Sequence, residues 1–271
     1  METIKVADTG LTVSRVALGT WAMGGWMWGG SDEAEAIAAI QAAVDHGVTL
    51  IDTAPVYGQG RAEELLGRAL EEAGLRQRVA IATKVGLEWR EGGRKVYRNA
   101  TAARIEAEVE DSLRRLRSDV IDIYQVHWPD ETVAADETAG ALLRLREAGK
   151  IRAIGVSNYS PEQMDAFREV APLHTTQPPY NLLERGAEAD ILPYCAEHGL
   201  LSLTYGVLCR GLLSGKITAE RRFAPGDLRR FDPKLRKKRF PQYLAALERL
   251  GALAADHGKS LLALAVRGAL Q

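Results

Sequence analysis

Short apolar runs recur along the chain, each closed by polar residues and followed by a stretch of helical character. Val16–Thr20, Thr49–Ala54, Val79–Val85, Val120–His127, Ile151–Ser157, Thr175–Gln177 and Leu200–Tyr205 read as strands. Thr175–Gln177 is weak, because Pro178 and Pro179 cut it short. Between the strands lie predicted helices: one capped by Ser31 or Asp32 and running to about His46, then Arg61–Ala73, Thr101–Arg117, one ending near Lys150, one starting at Pro161, and Ala187–His198. Tyr243–His257 and Ser260–Leu270 continue as helix. Ile4 to Val13, broken by Asp8-Thr9-Gly10, predicts a hairpin at about 4–13, placed to plug one end of the core.

Strand–helix alternation with short connections implies a parallel sheet with helices outside it, an α/β fold. Seven βα units are countable, and no strand-like segment follows the long loop at about 207–240. The expectation is a single (β/α)8 TIM barrel domain over residues 1–271 whose eighth βα unit is missing from this sequence. An open seven-stranded barrel leaves two exposed edges, so the native chain is expected to run on past Gln271.

Chemistry collects at the carboxyl ends of the strands. Asp52 closes one; Tyr57 lies five residues on, in a loop opened by Pro55 and closed by Gly58. Lys84 and His127 close two more, and Ser157-Asn158 follows the next. Active-site groups of a parallel barrel gather at that face. Composition narrows the class. A net charge of −1 gives no global attraction to nucleic acid or an anionic membrane. Cys195 and Cys209 are the only cysteines and form no Cys-x-x-Cys pair, so neither a disulfide scaffold nor a metal site is expected. The start, Met1-Glu2-Thr3-Ile4-Lys5, lacks a signal peptide's apolar core, and no apolar run reaches the roughly 20 residues that span a bilayer. A cytoplasmic enzyme with a small-molecule substrate, without nucleic-acid or membrane partners, is the expectation. The basic run Leu228–Phe240 reads as a solvated, mobile loop, with cofactor phosphates or nucleic acid as the other readings.

Taken singly, each residue has an ordinary reading: a loop-capping aspartate, a half-buried tyrosine, a solvated lysine, a core histidine. Taken together, in order and spacing, Asp52, Tyr57, Lys84 and His127 resemble the catalytic tetrad of the aldo-keto reductases. Further segments look like motifs of that family: Gly19-Thr20-Trp21, Ile51-Asp52-Thr53-Ala54-x-x-Tyr57-Gly58, Thr83-Lys84, His127-Trp128-Pro129-Asp130, Gly155-Val156-Ser157-Asn158, Gln177-x-x-Tyr180-Asn181 and Arg210-Gly211-Leu212-Leu213-Ser214-Gly215-Lys216. The resemblance implies reduction of aldehydes or ketones with NADPH, NAD being the other possibility. Tyr57 would be the general acid, its phenol pKa lowered from about 10 by the Lys84 ammonium. Asp52 would orient Lys84, and His127 would position the carbonyl oxygen.

The sequence has no Gly-x-Gly-x-x-Gly after any strand, which argues against a Rossmann site. The resemblance instead implies a dinucleotide extended across the barrel top. Ser157, Asn158 and Gln177 would bind the nicotinamide carboxamide and Tyr205 would stack on its ring. The backbone of Leu208, Arg210, Gly211 and Leu212 would cradle the pyrophosphate, with Lys216 nearby. Gly19, Thr20, Trp21 and Asp52 complete the expected cofactor contacts. Tyr205-Gly206-Val207-Leu208 replaces the family's frequent Tyr-Ser-Pro-Leu. The family's adenosine 2′-phosphate segment follows the eighth strand and has no counterpart here. Substrate contacts are expected from Trp21, Tyr57, His127 and Trp128; all five tryptophans lie in loops after strands. Two other classes stay open: a cofactor-binding regulatory subunit on the same fold, and a barrel aldolase using Lys84 as a Schiff base.

Overall fold

The structure is a computed structural model that describes every residue except Glu91, Gly92, Arg94 and Gln271. Its centre is a parallel sheet of seven strands: β3 (Leu18–Gly19), β4 (Leu50–Asp52), β5 (Ala80–Val85), β8 (Ile121–Val126), β9 (Ile151–Ser157), β10 (Thr175–Gln177) and β11 (Leu201–Ser202). Their spatial order is β11-β10-β9-β8-β5-β4-β3. Every pair in it is parallel. All residues of β5 and β8 are buried, as strands covered on both faces must be. The sheet curls into an α/β barrel: the Gln177 side chain on β10 reaches Asp52 on β4, four places away in the order. Among the described residues β3 and β11 do not pair with each other, and no eighth parallel strand stands between them. Any extension past Gln271 lies outside the described residues.

The helices pack outside this sheet. α1 (Glu33–Asp45) starts at Asp32, whose side chain accepts from the Glu35 amide. α2 (Arg61–Glu72) buries Ala62, Leu65, Leu66, Ala69 and Leu70, an apolar stripe at helical spacing. α3 (Ala102–Leu116) is capped by Thr101, and α4 spans Ala135–Glu147. α5 (Pro161–Arg168) opens with a reciprocal Ser160–Gln163 capping box and Pro161 in its first turn. α6 begins at Ile191, not Ala187, because Asp190 caps there and Gly186–Glu188 forms a separate 3-10 turn. α7 (Phe240–Asp256) and α8 (Leu261–Ala269) follow the long loop. No described helix is long and apolar enough to cross a membrane.

Two hairpins complete the fold. β1 (Thr3–Lys5) pairs antiparallel with β2 (Thr12–Ser14). Val6, Leu11 and Val13 of this hairpin pack against Leu50, Ala80, Ala82, Ile123 and Ala153 inside the barrel. The connection after β5 contains a second hairpin, β6 (Leu87–Trp89) with β7 (Val96–Arg98), and three of the residues between these strands lie outside the described set. The basic run after Leu228 is more ordered than its charge suggests. Leu228–Phe231 and Pro233–Leu235 form 3-10 turns, and buried Asp232 takes both Arg210 and Lys234.

Behind β5 lies a buried polar network. Alternate strand residues face opposite sides, so Thr83 points to the helices while Lys84 points into the barrel. The Thr83 hydroxyl donates to Glu63 Oε1 at 2.6 Å, and Arg115 Nε donates to Glu63 Oε2 at 2.6 Å. Arg115 also donates to Glu108 at 2.9 Å, and Arg104 pairs with Glu108. Glu63 is fully buried; desolvation pushes its carboxyl up, against the pull of Arg115 and Thr83.

Gly155 on β9 marks the tightest inner contact. A Cβ there would stand 2.2 Å from Thr175 Oγ1 and 2.7 Å from Gln125 Cγ, both on fully buried residues. Gly155→Ala is expected to cost about 1–3 kcal/mol by overpacking, read as a lower urea midpoint at unchanged slope.

Candidate active site

Asp52 is the last residue of β4, and Lys84 is the next-to-last of β5 beside it. His127 follows β8, its amide donating to the Val85 carbonyl at 2.8 Å. Tyr57 lies in the loop after β4, buried at 9 % exposure. That loop is fixed by close backbone approach. Gly58 has φ 68°, and a Cβ on it would lie 2.3 Å from the Gly24 carbonyl oxygen. The 3-10 turn Trp21–Gly24 therefore lies directly on the Tyr57–Gly58 backbone, and only glycine meets both demands.

Lys84 is completely buried, and its ammonium is the hub. Nζ donates to Asp52 Oδ1 at 2.8 Å and Oδ2 at 2.7 Å, to the Thr53 carbonyl at 2.9 Å and to the Tyr57 hydroxyl at 3.2 Å. Burial disfavours its charge, but Asp52 and Tyr57 outweigh that and hold Lys84 above the ordinary lysine value. The phenol behaves otherwise than the sequence predicts. Burial pushes Tyr57 up to about 12; the pull of Lys84 is smaller, and Asp52 opposes it. Desolvation therefore wins over the neighbouring ammonium, and Tyr57 stands as a neutral O–H at pH 7. The His127 ring meets Tyr57 edge-on at 5.7 Å. Desolvation, then the Lys84 charge, hold it well below the usual imidazole range, so it too is neutral. An O–H backed by a fixed ammonium can release a proton while the anion left behind is stabilised.

The candidate cofactor residues flank this group. Thr20 is fully buried, and its backbone N–H and its hydroxyl both donate to the Asp52 carbonyl, at 2.9 and 3.1 Å. Its contribution is to brace Asp52. Gly19 pairs with Asp52 across β3 and β4, and nothing lies within 4 Å of where its Cβ would be. Ser157 donates to the Gln177 carbonyl at 2.9 Å. Asn158, at φ 62°, donates to the His127 carbonyl at 2.9 Å and accepts from the Tyr205 hydroxyl at 2.9 Å. The left-handed turn thus locks Asn158 and the Tyr205 ring together beside His127. Further along, the backbone changes hand from Leu208 (φ −89°, ψ 10°) to Cys209 (φ 47°) and stays left-handed through Arg210 (53°) and Gly211 (97°). Successive amides in such a turn face one side and suit an anion, as a pyrophosphate cradle requires. Leu212 is buried beneath this turn and Lys216 is exposed after it.

The tryptophans divide. Trp21 stacks on Tyr57 at 6.0 Å, and Trp28 meets Trp21 edge-on at 5.2 Å. Trp128 is 37 % exposed, under the Arg98 guanidinium at 5.3 Å. Sequence reasoning missed how the Trp28 wall is backed. Arg229 lies 5.0 Å from the Trp28 ring and 4.5 Å from Phe223, clamped by Asp227. The Leu228 amide donates to the Met27 carbonyl at 2.9 Å. No local pattern links these two loops. Glu63 was also missed, although a signal existed: it shares a helical face with Leu66, Gly67 and Leu70, an unusual place for a lone carboxylate.

A model of the Aldo/keto reductase family matches residues 15–271. The chain is 56% identical over 268 residues to aldo-keto reductase YhdN of Bacillus subtilis (strain 168), covering 98% of this chain and 80% of that one. It is 37% identical over 242 residues to an NADH-specific methylglyoxal reductase of Escherichia coli (strain K12), covering 84% and 73%. Among solved structures, the glycerol dehydrogenase AKR11B4 of Gluconobacter oxydans superposes with a TM-score of 0.90 at 54% identity, covering 99% of this chain and 82% of that one. An aldo/keto reductase of Klebsiella pneumoniae, in complex with NADP and acetate, gives 0.71 at 32% identity, covering 93% and 76%. The chain belongs to the aldo/keto reductase family.

Proposed function

We propose that the protein reduces aldehydes or ketones to alcohols with a nicotinamide dinucleotide, using Tyr57 as the general acid. The observation that carries this is the contact set of Lys84: both Asp52 oxygens within 2.8 Å and the Tyr57 hydroxyl at 3.2 Å, at the carboxyl ends of adjacent strands. A reduced nicotinamide, when bound, would supply the hydride that the carbonyl carbon accepts. As the C–O π pair moves onto oxygen, Tyr57 gives that oxygen its proton. Lys84 stabilises the phenolate left behind, and Asp52 keeps Lys84 charged and aimed. His127, neutral, holds the same oxygen by a hydrogen bond. Carbonyl compound, NAD(P)H and one proton thus become alcohol and NAD(P)⁺.

Ser157, Asn158 and Gln177 are the residues we assign to the carboxamide, Tyr205 to the nicotinamide ring, and Leu208–Leu212 with Lys216 to the pyrophosphate. Gly19 and Trp21 are assigned to the same cofactor site, with Thr20, fully buried, bracing Asp52 behind it. NADPH is the proposed donor, in line with the NADP held by the Klebsiella structure. NADH is the other reading, prompted by the relative named as NADH-specific. Trp21 and Trp128 are proposed substrate contacts. Two relatives are named for three-carbon compounds, methylglyoxal and glycerol, so short carbonyl substrates head the list. An aldolase role for Lys84 is disfavoured, because an ammonium held by four acceptors has no lone pair to offer a carbonyl.

Tyr57→Phe is expected to lower the rate of methylglyoxal reduction by roughly 10²–10⁴-fold while leaving NADPH affinity, read by quenching of tryptophan fluorescence, nearly unchanged. Wild-type turnover in that variant would remove Tyr57 as the acid. The pH profile follows from the same groups. The acid works protonated, and its pKa is raised to about 12. The reduction rate is therefore expected to stay flat between about pH 7 and pH 10 and to fall only as the phenol loses its proton above that range.

A further inference from the structure

Gln177 reaches the acid–base group from the far side of the barrel. It ends β10, whereas Asp52 ends β4, and β9, β8 and β5 lie between them in the sheet. Its Nε2 crosses the curled interior and donates to Asp52 Oδ1 at 2.9 Å. The residue is buried and its backbone is held: Gln177 is 4 % exposed, and its main-chain carbonyl accepts from the Ser157 hydroxyl at 2.9 Å and the Asn158 amide at 3.4 Å. Asp52 Oδ1 therefore has two donors, Lys84 and Gln177, while Oδ2 has Lys84 alone. A neutral amide on Oδ1 stabilises the carboxylate without cancelling its charge. It also fixes the carboxylate plane against the Lys84 ammonium. With that donor removed, Asp52 draws harder on Lys84, and the ammonium has less to give to Tyr57.

We propose that Gln177 is a positioning residue for the acid, acting through Asp52 from across the barrel. The idea rests on Tyr57 being the acid, and it is separate from any contact of Gln177 with the nicotinamide carboxamide. It gives Gln177 an effect on proton transfer that persists when the cofactor is saturating.

Two variants test it, measured with methylglyoxal at saturating NADPH, with near-ultraviolet circular dichroism to confirm folding. Gln177→Met keeps length and removes the donor; its kcat is expected to fall about tenfold with a flat profile at neutral pH. Gln177→Glu places a carboxyl group against Asp52. When protonated it donates to Oδ1 as the amide does; when ionised it repels Asp52. Its kcat is expected to be near wild type at about pH 5 and to be lost through a new ionisation below about pH 9. A purely structural or cofactor-binding role does not create that ionisation. Wild-type kcat in Gln177→Met, or a flat Gln177→Glu profile with only NADPH affinity altered, overturns the proposal. Tyr57→Phe separates the two failures. If it stays active, the assignment of the acid falls; if it is inactive while the Gln177 variants keep wild-type kcat profiles, only the role of Gln177 falls.

Discussion

The structure turns on one desolvated ion pair. Lys84 is a fully buried ammonium, and removing such a charge from water costs several kcal/mol unless it is paired and hydrogen-bonded. Here the three N–H groups of Nζ are shared among four oxygens: two on Asp52, one on Thr53, one on Tyr57. The pair exists only because β4 and β5 are adjacent and parallel: Asp52 is in register with Ala82, and Lys84, two residues on and on the same face, comes within its reach. The barrel is in this sense the means of keeping one lysine charged in a dry place.

That requirement reaches through the strand to its other face. Thr83 is tied to Glu63, and Glu63 to Arg115, so β5 carries a satisfied polar anchor outside and a satisfied ammonium inside. A slip of one residue would turn each side chain to the wrong face, leaving a bare charge on both sides. Register is therefore specified by charge as well as by apolar burial. The neutrality of Tyr57 and His127 has the same origin. The low-dielectric environment that makes the ion pair strong also raises the phenol and depresses the imidazole.

Much of this was legible from the chain. The apolar runs marked the seven strands, and Asp52, Lys84 and His127 could be placed at strand ends because a polar residue closes each run. Tyr57 was readable from the Pro55–Gly58 loop. The illegible parts share a cause: each depends on a contact between segments far apart in sequence. Leu201–Ser202 pairs as only two residues because its place is set by β10. The direction of the Tyr57 shift was misread because a spacing of residues conveys the nearby charge but not the depth of burial. Gln177 was recognisable as a polar residue ending a strand, but its reach to Asp52 depends on how tightly the sheet curls.

The wall made of Trp21, Trp28, Phe223 and Arg229 has a separate logic. Its two halves come from opposite ends of the chain, joined by the Leu228 amide and the Met27 carbonyl, and of the four side chains Trp21 is the one that meets the Lys84 network, by stacking on Tyr57. Cleft shape and proton chemistry thus meet at Trp21 and are otherwise carried by different residues. Paired changes in two surface loops can resculpt what the cleft admits, generation after generation, while the reacting centre stays untouched.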